Sequence, residues 1–202
     1  MKSSCIGAIL IGLSSLISFN LVATDSAAGK SKSAVCAGCH GADGNSASGV
    51  WPILAGQHAS YLVKQMKNFK SSERVDPVMQ SMAASLSEVD MQDIAAYFES
   101  QKRNPVAFDN ALVARGESIY RGGITEISVA ACMACHGPDA GGNGPASYPS
   151  LKGQHSEYLV VQLKKFRGGT RANDSYSIMR SLAERMSDEE IMAVAAYISA
   201  IQ

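Results

Sequence analysis

The sequence predicts an all-α protein made of two tandem domains of one design. Three observations predict it. The chain repeats itself segment by segment, both copies carry apolar stripes at helical spacing, and a five-residue cysteine–histidine motif stands once in each copy. Nothing in the 202 residues shows the apolar/polar alternation of a half-buried strand.

The repeat is direct. Leu54-Ala55-Gly56-Gln57-His58 returns as Leu151-Lys152-Gly153-Gln154-His155, Tyr61-Leu62-Val63 as Tyr158-Leu159-Val160, and Ala95-Ala96-Tyr97 as Ala195-Ala196-Tyr197. The offset is 96 at the cysteines, 97 through Arg74/Arg171 and 100 from Met79 onward, so the second copy carries two short insertions. Internal self-similarity of this kind marks one structural unit used again.

Taken in order, residues 1–23 read as a secretory signal. Lys2 precedes an apolar run from Ile6 to Phe19, too short for a membrane span, and Leu21-Val22-Ala23 supplies a small-residue cleavage site. Cys5 lies at the start of that run, badly placed for a lipoprotein site, and leaves with the signal. The first domain is expected over 24–104, with a helix near Gly29–Val35. A second helix carries Leu62, Met66 and Phe69 at i, i+4, i+7. A last helix opens with Ser87-x-x-Asp90 and presents Met91, Ile94, Ala95 and Phe98. The polar stretch Gln101-Lys102-Arg103-Asn104-Pro105 ends in a helix-breaking proline and makes a short linker. The second domain, 105–202, repeats the plan: a helix near Leu112–Tyr120, the stripe Leu159, Leu163, Phe166, and a final helix opening at Ser187-x-x-Glu190 with Ile191, Val194, Ala195 and Ile198.

The motifs carry the chemistry. They are Cys36-Ala37-Gly38-Cys39-His40 and Cys132-Met133-Ala134-Cys135-His136. A CxxC pair alone also serves zinc sites, redox dithiols and disulfides. Zinc ribbons bring their pairs closer in sequence, a redox dithiol needs a βαβ context, and neither requires the following histidine. Two thiols one helical turn apart can add across the vinyl groups of one porphyrin, and the adjacent histidine then ligates the iron. The expected cofactors are therefore two covalently attached c-type haems, held by Cys36, Cys39, Cys132 and Cys135, with His40 and His136 as proximal ligands. A buried haem also fills the thin core that about 80 residues with few large apolar groups would leave.

The sixth position falls to methionine or histidine. Of the paired methionines Met79/Met82 and Met179/Met186, only Met79 and Met179 match between copies. They are expected as the distal ligands, each from a loop after a helix. His58 and His155 also match, so bis-histidine ligation is the alternative; a capping or hydrogen-bonding role at a helix start is the plainer reading. Pro52 and Pro149 are placed to accept the Nδ1 proton of the proximal imidazole. Gly41 and Gly137 would let the chain turn close to the porphyrin. Trp51 and Tyr148 suit either a propionate contact or aromatic packing, and Arg74 and Arg171 a solvated surface role.

With its CxxCH, Pro-x-Leu-x-Gly-Gln loop, distal methionine and final Ala-Ala-Tyr helix, each copy resembles a class I cytochrome c domain. The tandem, with Gly116 to Gly123 opening its second half, resembles the bacterial di-haem cytochrome c4 family. That resemblance implies haems related by a pseudo-twofold axis with propionates meeting at the interface. It also implies a periplasmic location, possible peripheral membrane association, and electron transfer from a donor such as a quinol-cytochrome c reductase towards a terminal oxidase. No catalytic acid, base or nucleophile is required, so the expectation is an electron-transfer protein and not an enzyme. The alternatives are a cytochrome subunit of a larger periplasmic dehydrogenase and, behind it, a di-haem peroxidase. Near-neutral charge without a basic tract argues against nucleic acid as a partner.

Overall fold

A computed structural model describes residues 24–201. The expected signal segment, 1–23, lies outside the described residues. Ten α-helical segments are described, and among the described residues extended pairing is confined to isolated bridges between Ile124 and Val129 and between Asn143 and Tyr148.

In the first unit, α1 (Ser26–Lys32) starts at Asp25, whose carboxylate accepts from the Ala27 and Ala28 amides at 2.8 and 3.0 Å. Such a cap satisfies amides that have no partner inside the helix. The helix tightens into a 3-10 turn at Ser33–Cys36 and ends in the single turn α2 (Ala37–His40). A long loop leads to α3 (Ala59–Lys70), followed by α4 (Pro77–Ala84) and α5 (Glu88–Glu99). The second unit repeats this as α6 (Asn110–Gly122), α7 (Met133–His136), α8 (Ser156–Arg167), α9 (Ile178–Ala183) and α10 (Asp188–Ala200). The first helix therefore begins earlier than the expected Gly29 and gives way to a 3-10 turn before Val35.

The expected stripes face inward. Met91, Ile94, Ala95 and Phe98 are buried, as are Ile191, Val194, Ala195 and Ile198. Leu62 and Phe69 are buried with Met66 partly so; Leu159 and Phe166 are buried with Leu163 partly so. Both capping boxes form, Ser87 with Asp90 and Ser187 with Glu190.

Each unit is closed by its first helix crossing its last. The crossing depends on a glycine: a Cβ on Gly29 would stand 2.0 Å from the Asp93 carbonyl oxygen, and one on Gly116 would stand 2.0 Å from that of Ala193. No side chain fits at such a distance, so the helix axes approach only because Cβ is missing.

The linker is strapped to both units. Arg103 donates from Nε to the Ala55 carbonyl at 3.0 Å and from a guanidinium nitrogen to the Lys152 carbonyl. Burial pushes its pKa down to about 10. Among the described residues no helix is long and apolar enough to cross a membrane.

Candidate haem sites

The two cysteine–histidine motifs lie on the short turns α2 and α7. Helical spacing places Cys36 and Cys39, and likewise Cys132 and Cys135, three residues apart on one face. None of the four is in a disulfide. Burial raises the Cys36 thiol above its ordinary pKa and pushes Cys132 up to about 11. After each motif a glycine with φ of +78° (Gly41) or +79° (Gly137) reverses the chain.

His40 and His136 are buried and alike in environment. Their Nδ1 atoms lie 2.9 Å from the Pro52 carbonyl and 3.1 Å from the Pro149 carbonyl. A carbonyl only accepts, so Nδ1 carries the proton and Nε2 keeps its lone pair, the tautomer a metal requires. Burial lowers both histidine pKa values, with the proline carbonyls pulling the other way. The net effect favours the neutral, ligating form. The expected role of the two prolines is thus observed.

The methionines lie on separate helices from the histidines. Met79 is not in a loop, as expected, but in the first turn of α4, where Asp76 accepts its amide at 3.2 Å and Pro77 occupies the first helical position. The sequence signal for this helix start is the Asp76-Pro77 pair, an N-cap followed by proline at the first helical position. Met179 is the second residue of α9, entered through left-handed Tyr176 and Ser177. There Asp174 receives the Arg180 amide at 3.0 Å and its Nε at 2.7 Å. Burial would raise the Asp174 pKa, but these bonds outweigh it and hold it low. Met79 and Met179 are both half-buried. The unmatched methionines go elsewhere, Met82 to the surface and Met186 into the second core.

His58 and His155 stand just before α3 and α8 without capping them. Their rings cross to the other unit instead. His58 Nε2 lies 2.8 Å from the Gly141 carbonyl, and His155 Nε2 lies 3.0 Å from the Ser46 carbonyl. Each ring thus ties the two units together through its Nε2.

Arg74 and Arg171 correct the expectation of solvated surface cations. Only 9% and 7% exposed, they lie at the heart of the interface. Arg74 donates to Gln65 of its own unit at 2.8 Å and to Gln162 and Tyr158 of the other at 2.9 and 3.1 Å. Arg171 mirrors it on Gln162 at 2.8 Å, Tyr61 at 3.0 Å and Gln65 at 3.4 Å. The field is strong: burial opposes ionisation of Tyr61, yet the charges of Arg171 and Arg74 pull its pKa below the ordinary phenol value. Neither arginine forms an ion pair with a carboxylate among the described residues. Two buried cations without acidic partners suit a group that brings its own carboxylates, as haem does through its propionates. Trp51 and Tyr148 are half-buried, Tyr148 with its ring centroid 6.2 Å from that of His136.

Paired thiols, a neutral histidine with its far nitrogen free, and buried cations define two c-type haem-binding units in tandem. A family model described as Cytochrome c matches residues 26–102 and again 113–202. Cytochrome c4 of Azotobacter vinelandii is 46% identical over 189 residues, covering 89% of this chain and 90% of that one. The crystal structure of reduced recombinant cytochrome c4 from Pseudomonas stutzeri superposes with a TM-score of 0.86 at 42% identity, covering 89% of this chain and all of that one. A thiosulfate dehydrogenase electron acceptor of Stutzerimonas stutzeri is 42% identical over 173 residues, covering 81% of this chain and 77% of that one. The chain belongs to the cytochrome c family and, within it, to the di-haem cytochrome c4 group. It carries two covalently attached c-type haems and is an electron carrier, not an enzyme.

Proposed function

We propose that this protein is a periplasmic shuttle, exported by residues 1–23, with domains 24–104 and 105–202. It takes electrons from a donor such as a quinol-cytochrome c reductase and passes them towards a terminal oxidase. His40 with Met79, and His136 with Met179, are the axial ligands. Haem bound there supplies one-electron exchange between Fe(III) and Fe(II).

The observation that carries the reading is the likeness of the two sites. Each has a buried histidine with Nδ1 committed to a proline carbonyl, and each has a half-buried methionine in the first turn of a helix organised by an aspartate. Two filled iron sites suit electron carriage; a peroxidase needs one that opens. Apolar side chains left exposed beside the motifs, Val35 next to Cys36 and Val78 next to Met79, suit brief docking of a redox partner.

The test is the far-red spectrum of the oxidised protein, with haem counted on the same sample. Ferric haem bound by methionine sulfur has a charge-transfer band there. Intensity for two haems supports Met79 and Met179 as ligands, and Met79→Ala or Met179→Ala should each remove half of it. Half intensity in the native protein would sink the ligand assignment.

A second reading is favoured by the likeness to the thiosulfate dehydrogenase electron acceptor: service as the acceptor subunit of a periplasmic dehydrogenase. Co-purification of a stoichiometric dehydrogenase would decide for it.

A further inference from the structure

Gln57 and Gln154 are buried, and each reaches into the other unit. Gln154 Oε1 accepts the Ile53 amide at 2.8 Å and its Nε2 donates to the Ile53 carbonyl at 2.9 Å. Gln57 does the same to Ser150, accepting its amide at 2.9 Å and donating to its carbonyl at 2.8 Å. Ile53 follows Pro52, and Ser150 follows Pro149. The N–H that each glutamine binds therefore belongs to the same peptide group as the carbonyl that holds the proximal histidine.

We propose that each glutamine is a positioning residue that tunes the reduction potential of the haem in the opposite domain. This rests on the reading of His40 and His136 as proximal ligands. A peptide group with its N–H donating to a good acceptor becomes more polar, and its oxygen becomes a stronger acceptor in turn. Gln154 thereby strengthens the bond from His40 Nδ1 to Pro52, which makes the imidazole more basic towards the iron. A more basic ligand favours Fe(III) and lowers the potential. Gln57 acts in the same way on His136 through the Pro149–Ser150 peptide. Each haem thus has part of its potential set across the interface, and docking of the two domains is a condition of both values.

The test is Gln154→Met in the full di-haem protein, with Gln57→Met as its mirror. Potentials are followed haem by haem through assigned NMR signals, and the His40 and His136 Nδ1 protons are recorded in the reduced state. In Gln154→Met, the haem at Cys36 and Cys39 should become easier to reduce by about threefold in its equilibrium constant, about 28 mV at about 59 mV per tenfold. The His40 Nδ1 proton should move upfield. The haem at Cys132 and Cys135 should stay where it was. His155→Ala, which removes a neighbouring cross-domain bond to Ser46 without touching the Ile53 peptide, should shift neither haem. Should Gln154→Met not incorporate both haems, Gln154→Asn, one methylene short of Ile53, should give a smaller shift of the same sign. Equal shifts of both haems, a shift confined to the variant's own domain, or no shift would overturn the proposal. Failure of the ligand reading would show earlier, in the native reduced protein, as the absence of two histidine signals with haem ring-current shifts.

Discussion

Arg74 and Gln162 belong to different halves of the chain, yet Arg74 Nη2 lies 2.9 Å from the Gln162 side-chain oxygen, both residues being buried. Its counterpart Arg171 donates to the same oxygen at 2.8 Å. The two guanidinium groups share Gln65 and Gln162 as acceptors across the interface.

Arg74→Met or Arg171→Met should therefore weaken the interface. Each would strand buried amide and phenol groups, at a cost of about 1–3 kcal/mol. Thermal unfolding of the holoprotein should show the loss, and the double variant should lose less than the sum because the partners are shared. Removing a buried positive charge should also lower the haem potentials, since that charge favours the reduced iron.

Gly29→Ala should destabilise the first unit although alanine is the better helix former. The added methyl meets the Asp93 carbonyl, and forcing the helices apart costs about 1–3 kcal/mol. Denaturant unfolding checks it, with Gly122→Ala in the last turn of α6, where an added Cβ meets nothing within 4 Å, as the control.

Asp93 accepts the Asp25 amide at 2.8 Å and the Lys32 ammonium at 2.7 Å, and these bonds hold its pKa below 3.8. A carboxylate whose folded pKa is depressed stabilises the fold above its unfolded pKa and stops doing so as pH falls through the lower, folded value. The stability gap between the native protein and Asp93→Asn should be full above pH 3.8 and shrink in more acid solution. Denaturant midpoints across that range measure it. Ala193 replaces Asp93 in the other unit, so the corresponding position there contributes no such dependence.

Ser87→Ala and Ser187→Ala each remove the cap of a final helix and should cost about 1 kcal/mol. Both boxes are formed, so the penalties should be similar although one uses aspartate and the other glutamate at the third position. Unfolding midpoints test this.

What was legible in the sequence was local or repeated. The cysteine–histidine turns, the buried stripes of α5 and α10, the capping boxes and the proline carbonyls behind His40 and His136 all depend on residues close in sequence or on one helical period. The helical start at Met79 is legible too, in Asp76-Pro77, an N-cap followed by proline at the first helical position, although Met79 was expected in a loop.

By itself, then, the sequence determined two all-α haem-binding units and the groups available to each, because covalent attachment, helix period and capping act over a few residues. Only the tertiary structure decided that Arg74 and Arg171 are interior, that His58 and His155 pin the halves together, and that Gln57 and Gln154 reach the peptides behind the opposite histidines. The partners in those contacts lie 83 to 109 residues apart in sequence. They meet only because the two units pack against each other with reciprocal contacts, and no spacing within one copy encodes that.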